Sequence, residues 1–111
     1  MSDFVPVGKA ADIEPGAWQK YQVGPSEVVV FNVDGQFHAI DDTCPHRGGP
    51  LSHGFLEGQV VYCPLHGWPF DVTTGEMPGA PEICVPRYSV RVDGEELLVS
   101  RQPAAPEPAG K

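Results

Sequence analysis

Residues 44–68 read Cys44-Pro-His46-Arg-Gly-Gly-Pro-Leu-Ser-His-Gly-Phe-Leu-Glu-Gly-Gln-Val-Val-Tyr-Cys63-Pro-Leu-His66-Gly-Trp68. Two short knots stand out in this stretch, Cys44-Pro45-His46 and Cys63-Pro64-Leu65-His66, with sixteen residues between His46 and Cys63. Each knot offers one soft thiolate and one imidazole. Two Cys and two His from paired loops hold either a tetrahedral zinc or a [2Fe–2S] cluster with mixed ligands. The residues around the knots bear on that choice.

Outward from the knots the chain is a series of short strands. Residues 59–62 (Gln-Val-Val-Tyr) are apolar and β-branched and lead straight into the second knot. Residues 28–33, then Asp34-Gly35, then 36–40 carry the signature of a hairpin closed by a type I′ turn. Residues 88–92, Asp93-Gly94 and 95–100 repeat it. Further strands are expected at 4–8, with Pro6 marking an edge position, at 18–23 and at 70–72. Residues 10–17 read as a loop, 73–76 as a turn, and 77–81 (Met-Pro-Gly-Ala-Pro) as irregular. Only residues 12–20 suggest a helix, and Pro15-Gly16 interrupts them. The fold class is therefore all-β, built of short antiparallel strands. The Pro- and Ala-rich residues 102–111 have little to bury and are expected to be a disordered tail.

At 111 residues the chain has room for one small domain, whose modest core a bound metal centre helps to brace. Thirteen Gly and thirteen Pro agree with many turns. A net charge of -8 argues against nucleic acid or an anionic membrane as partner and favours docking on a basic protein patch. Three cysteines, two of them beside histidines, do not suit a secreted disulfide framework. The first residues carry no leader pattern and no apolar run is long enough to span a bilayer, so the expected location is the cytoplasm.

Between the two metal readings, the loops favour iron–sulfur. Zinc modules with this ligand set usually place a helix beside the second pair, and none is apparent here. A cluster between two facing loops would take Cys44 and Cys63 on one iron and His46 and His66 on the other. Pro45 and Pro64 stiffen the loops. Gly48, Gly49, Gly54 and Gly67 are expected to let backbone approach the sulfides and donate N–H groups to them.

The pattern Cys-x-His, sixteen residues, Cys-x-x-His, extended by Cys-Pro-Leu-His-Gly-Trp, Phe70-Asp71 and Thr74-Gly75, resembles the Rieske family over roughly residues 3–101. Within that family the likeness is to small soluble Rieske ferredoxins and to the small subunit of assimilatory nitrite reductases. The resemblance implies one domain over residues 1–101, of stacked antiparallel sheets with a cluster-binding subdomain at one tip. It also implies one [2Fe–2S] cluster whose histidines face solvent.

The implied function is one-electron transfer from a reductase to a terminal oxygenase or another redox enzyme. The alternatives are the small electron-transfer subunit of a nitrite-reductase-like complex, or a zinc-stabilised interaction module. Nucleophile–base pairs, phosphate loops and mononuclear iron sites are not evident, so the chain reads as a carrier and not an enzyme in its own right. Respiratory and photosynthetic members of the family add a cysteine to each loop and a serine two residues after the second histidine. Those positions are Gly49, Leu65 and Trp68 here. Fewer donors to sulfur imply a potential near the low end of the Rieske range, about -150 mV.

Other residues receive plainer readings. Cys84 is expected to be a packed strand thiol, and His38 and His53 surface or satisfied histidines, His53 lying near enough to tune the cluster. Residues 77–81 resemble the proline-rich loop that covers the cluster in this family. Leu65 is expected to shield the cluster, Trp68 to pack, and Arg47 to meet solvent or an acidic partner.

Overall fold

The run Val28-Val29-Val30-Phe31 is apolar at every position because its strand is buried on both faces. In the computed structural model, which describes residues 4–44, 49–65 and 67–103, this run lies in β3 (Ser26–Val33). Val28 and Val30 point into one apolar cluster with Ile13, Val23, Ala39, Tyr88, Leu97 and Val99. Val29 and Phe31 point into a second cluster, which contains Cys44 and Cys63. One strand thus forms a wall of both cores. Strand alternation assigns its side chains between them.

Around β3 a six-stranded antiparallel sheet is built from β1 (Phe4–Lys9), β2 (Trp18–Val23), β4 (Gln36–Asp41), β10 (Arg87–Asp93) and β11 (Glu96–Pro103), in the order β1-β11-β10-β4-β3-β2. The sheet curls until its two edges meet: β1 lies beside β2, and the Tyr21 hydroxyl sits over Gly8, where a Cβ would approach it to 3.3 Å. Pro6 is on β1, an edge strand, as expected, and the ladder is bulged between Pro6 and Gly8. β11 runs on to Pro103; residues 104–111, most of the expected tail, lie outside the described residues.

The turns follow from their residues. Val33 pairs with Gln36, and Asp34 and Gly35 both have positive φ, 53° and 92°, which is the expected type I′ geometry. Buried Asn32 caps that hairpin. Its Oδ1 accepts the Gly35 N–H at 2.7 Å and its Nδ2 donates to the Ile13 carbonyl at 2.7 Å. The second Asp-Gly hairpin closes one residue further on. Asp93 pairs with Glu96, so Gly94-Glu95 is the loop, and only Gly94 (φ 64°) is left-handed there. Glycine at the first loop position is the type II′ solution.

Between β4 and β10 the chain leaves the large sheet and builds a smaller unit. It contains β5 (Phe55–Glu57), β6 (Val60–Tyr62) and β7 (Pro69–Asp71) in one sheet and β8 (Glu76–Met77) with β9 (Ala80–Cys84) in another. Entry and exit are adjacent, since β4 and β10 pair and the Asp41 N–H donates to the Pro86 carbonyl at 2.9 Å.

The expectation that residues 77–81 are irregular is corrected here, because Met77 pairs with Ala80 across Pro78-Gly79. Proline presets the first turn position and Gly79 takes φ 85° at the second, so the pair forms a turn and not a break. Strand β5 is a further element the sequence reading did not anticipate. The described residues contain no α-helix, only 3₁₀ turns at Ala10–Asp12 and Leu51–His53, and no helix among them is long and apolar enough to cross a membrane.

Candidate metal centre

Cys63 directly follows β6, and Pro69 opens β7. Between them the Cys63 N–H donates to the Trp68 carbonyl at 2.9 Å, closing a six-residue loop that carries Pro64, Leu65 and His66. An α-turn tightens it, with the Gly67 N–H donated to the Cys63 carbonyl at 2.9 Å and Gly67 at φ 75°.

The first knot is closed in the same way. The Cys44 N–H donates to the Gly49 carbonyl at 2.9 Å, five residues on, although no regular strand precedes it. Below that bond Thr43 bridges to Pro50, the Leu51 N–H donates to the Asp42 carbonyl at 2.6 Å, and the Ser52 N–H donates to Asp42 Oδ1 at 2.6 Å. In both loops, then, the cysteine amide is spent on the carbonyl five residues later, and each sulfur is fixed at the foot of its loop.

The two loops meet at Gly49. Its carbonyl holds Cys44, and a Cβ built on it would lie 3.1 Å from Cys63 Sγ and 2.9 Å from Leu65 Cγ and Cδ1. Cys44 and Cys63 are 1% and 3% exposed, neither is in a disulfide, and both belong to the apolar cluster with Val29, Phe31, Ile40, Leu51, Val61, Phe70, Val72 and Val85.

Two buried thiolates in such surroundings are costly unless a cationic centre compensates them. A [2Fe–2S] core supplies that charge. The donor set and the space that Gly49 leaves beside Cys63 Sγ fit such a group. Among the described residues no group of three or more His, Cys, Asp or Glu offers a competing metal site.

Not every expected residue behaves as the sequence suggested. His46 and His66, with Pro45, Arg47 and Gly48, lie outside the described residues. Gly54 and Gly67 do not direct their N–H groups at sulfur: Gly54 donates to the Leu51 carbonyl at 3.0 Å and Gly67 to Cys63 O, because tight turns consume those donors. Gly54 is nevertheless required, since a Cβ there would run into the Tyr62 carbonyl.

Cys84 is in a strand but is exposed, not packed; alternation along β9 turns Ile83 to the core and Cys84 to solvent. Trp68 packs against the cysteine-bearing cluster, and Met77 joins it there from the β8–β9 hairpin. Leu65 is 52% exposed at the tip, and Phe55, 57% exposed, stacks on Tyr62 at 5.1 Å.

Asp42 is the functional residue the sequence reading overlooked. It is buried, it ties both sides of the first loop, and its second oxygen lies 3.9 Å from Lys20 Nζ. The Asp41-Asp42-Thr43 turn, in which Asp41 Oδ1 accepts the Thr43 N–H at 2.9 Å, was the available signal.

Two groups of shifted pKa lie on β4 and β7. His38, half-buried on β4, has its pKa lowered by burial and by Arg87, with Asp71 opposing. Burial pushes Asp71 upward, but hydrogen bonds from the Thr73 side chain, Gln59 and the Thr73 amide, together with nearby His38, leave it below the usual carboxylate value.

The chain is similar in sequence and fold to known proteins. The family model described as a Rieske [2Fe-2S] domain matches residues 3–89. The ferredoxin component of biphenyl 2,3-dioxygenase from Rhodococcus jostii (strain RHA1) is 40% identical over 92 residues, covering 81% of this chain and 85% of that protein. Among solved structures, the ferredoxin of carbazole 1,9a-dioxygenase from Nocardioides aromaticivorans IC177 superposes with a TM-score of 0.83 at 32% identity, covering 91% of this chain and 100% of that one. A chain in a complex of reduced oxygenase and oxidized ferredoxin of carbazole 1,9a-dioxygenase gives 0.85 at 33% identity, covering 95% and 99%.

Proposed function

This chain belongs to the Rieske [2Fe–2S] domain family, and on that premise we propose that Cys44 and Cys63 hold the inner iron and His46 and His66 the outer iron of its cluster. The chain is a Rieske-type ferredoxin, a one-electron carrier. Its electrons pass from a reductase to a terminal oxygenase, and the carrier itself transforms no substrate. The observation that carries the ligand reading is the meeting of two equally closed loops at Gly49, whose carbonyl holds the Cys44 amide while the Cys63 sulfur lies against its Cα, both cysteines being buried.

When bound, the cluster supplies a one-electron couple. The residues of the chain do the rest. Cys44 and Cys63 anchor it from the apolar side, and the hydrogen bonds at the loop feet hold their sulfurs in place. Gly49, Leu65 and Trp68 provide neither the inter-loop disulfide nor the serine donor of the high-potential branch, which favours a potential near -150 mV, roughly the low end for Rieske centres.

The oxygenase as acceptor is supported by relatives that are components of biphenyl and carbazole dioxygenases. The net charge of -8 suits a partner with a basic docking rim. Cytoplasmic residence accords with three cysteines that form no disulfide.

The test is spectroscopic and then functional. The purified protein is expected to be reddish-brown with iron and labile sulfide in equal amounts, and Cys63→Ala to be colourless. Stoichiometric zinc without iron overturns the cluster reading, and a clearly positive potential overturns the low-potential one. Turnover of an oxygenase on addition of a flavin reductase and this protein supports the proposed partners; obligate copurification with a large subunit moves the role to a nitrite-reductase-like assembly.

A further inference from the structure

Leu65 belongs to the second loop, Gly49 to the first, and the two are pressed together. A Cβ on Gly49 would stand 2.9 Å from both Cγ and Cδ1 of Leu65, well inside the 3.5–4.0 Å or so at which carbon atoms normally rest, so the isobutyl group is seated on the bare Cα. Gly49 is buried, and its carbonyl is the acceptor that closes the first loop on Cys44. Leu65 is two residues from Cys63, whose sulfur faces the same Cα. The solvent-facing half of Leu65 contributes nothing to either apolar core, so an ordinary packing role does not account for its placement. No disulfide joins the loops.

We propose that Leu65 is a positioning residue: seated on Gly49, it ties the second loop to the first and sets how long the chain retains its cluster. This rests on the reading of both loops as ligand loops. Gly49 is glycine because any side chain there would unseat Leu65 and crowd the Cys63 sulfur. The contact is a steric tie between segments that have no covalent one.

The experiment uses the loaded protein and follows iron release to a chelator, loss of visible absorbance, and cluster reassembly into the apoprotein. Leu65→Ala is expected to release iron about tenfold faster, a partial version of the loss on truncating a buried leucine. Leu65→Met, which keeps the contact, is expected to release it at nearly the wild-type rate. Gly49→Ala is expected to assemble poorly, and adding Leu65→Ala to it to restore assembly in part, by removing the contact with Leu65 while leaving the one with the Cys63 sulfur. Should Gly49→Ala fail to fold, the comparison of Leu65→Ala with Leu65→Met still decides.

Equal release rates for wild type, Leu65→Ala and Leu65→Met overturn the tie. So does a double variant that assembles worse than either single one. A wild-type protein without iron, or a Cys63→Ala variant that keeps it, overturns the ligand reading instead, so the two failures are distinguishable.

Discussion

The carboxylate of Asp42 accepts the Ser52 amide at 2.6 Å, joining the two feet of the loop that carries Cys44. The side chain is 3% exposed, and Asp42→Ala strands the part-buried Ser52 N–H and removes the partner of Lys20. The loss is expected to be about 1–3 kcal/mol in denaturant unfolding, with faster iron release. Asp42→Asn keeps an oxygen acceptor and is expected to lie between. Urea titration of the three proteins checks the order.

His38 gives the fold a pH dependence of defined sign. Its folded pKa is lowered from 6.5, first by burial and then by Arg87, with Asp71 opposing. Just below 6.5 the unfolded chain therefore binds more protons than the folded one, and stability falls as pH drops from 6.5 towards the depressed folded value. Asp71 contributes in a separate window. Its stabilisation is present above 3.8 and is lost as pH falls through its lowered folded value. His38→Gln is expected to show a shallower fall in Tm than wild type between about pH 7.5 and pH 5.5. Parallel melting curves would contradict this.

Gly54 is constrained by proximity and not by handedness, for its φ is -82°. A methyl group there meets the Tyr62 carbonyl, on the strand that leads into the second loop. Gly54→Ala is expected to cost about 1–3 kcal/mol as an overpacking substitution and to lower the yield of loaded protein. Thermal unfolding with iron analysis measures both.

Cys84 is exposed, while Cys44 and Cys63 are buried. A thiol reagent is expected to label one cysteine per chain in the native loaded protein and none in Cys84→Ser. That variant is expected to keep its cluster and its potential. Labelling of two or more thiols without bleaching would contradict the burial of the other pair.

Much of the fold was legible because its signals were local. Strand β2 spans the residues its β-branched and aromatic content marked, and Asp34-Gly35 adopted the turn its dipeptide demands. The continuous apolar run of β3 was read as a strand, but its two-sided burial depended on where distant segments pack.

Misreadings came from residues that admit two roles. Pro78-Gly79 punctuates a chain equally well as a break or as the middle of a turn, and the pairing of Met77 with Ala80 chose the turn. Cys84 has apolar neighbours in sequence, yet alternation and not neighbourhood decides which side faces water. The cysteines of the site were marked by spacing. Asp42 was not, because a buried carboxylate holding a loop shut looks in sequence like any acidic turn residue.

The adjoining departure and return of the chain at Asp41 and Pro86 carry an engineering consequence. A segment that begins and finishes on neighbouring antiparallel strands makes no topological demand on its host beyond one such pair. The redox-bearing portion is therefore a cassette. Residues 42–86 are suited to transplantation onto a hairpin that supplies apolar side chains in the places of Val29, Phe31 and Ile40, against which the cysteines pack.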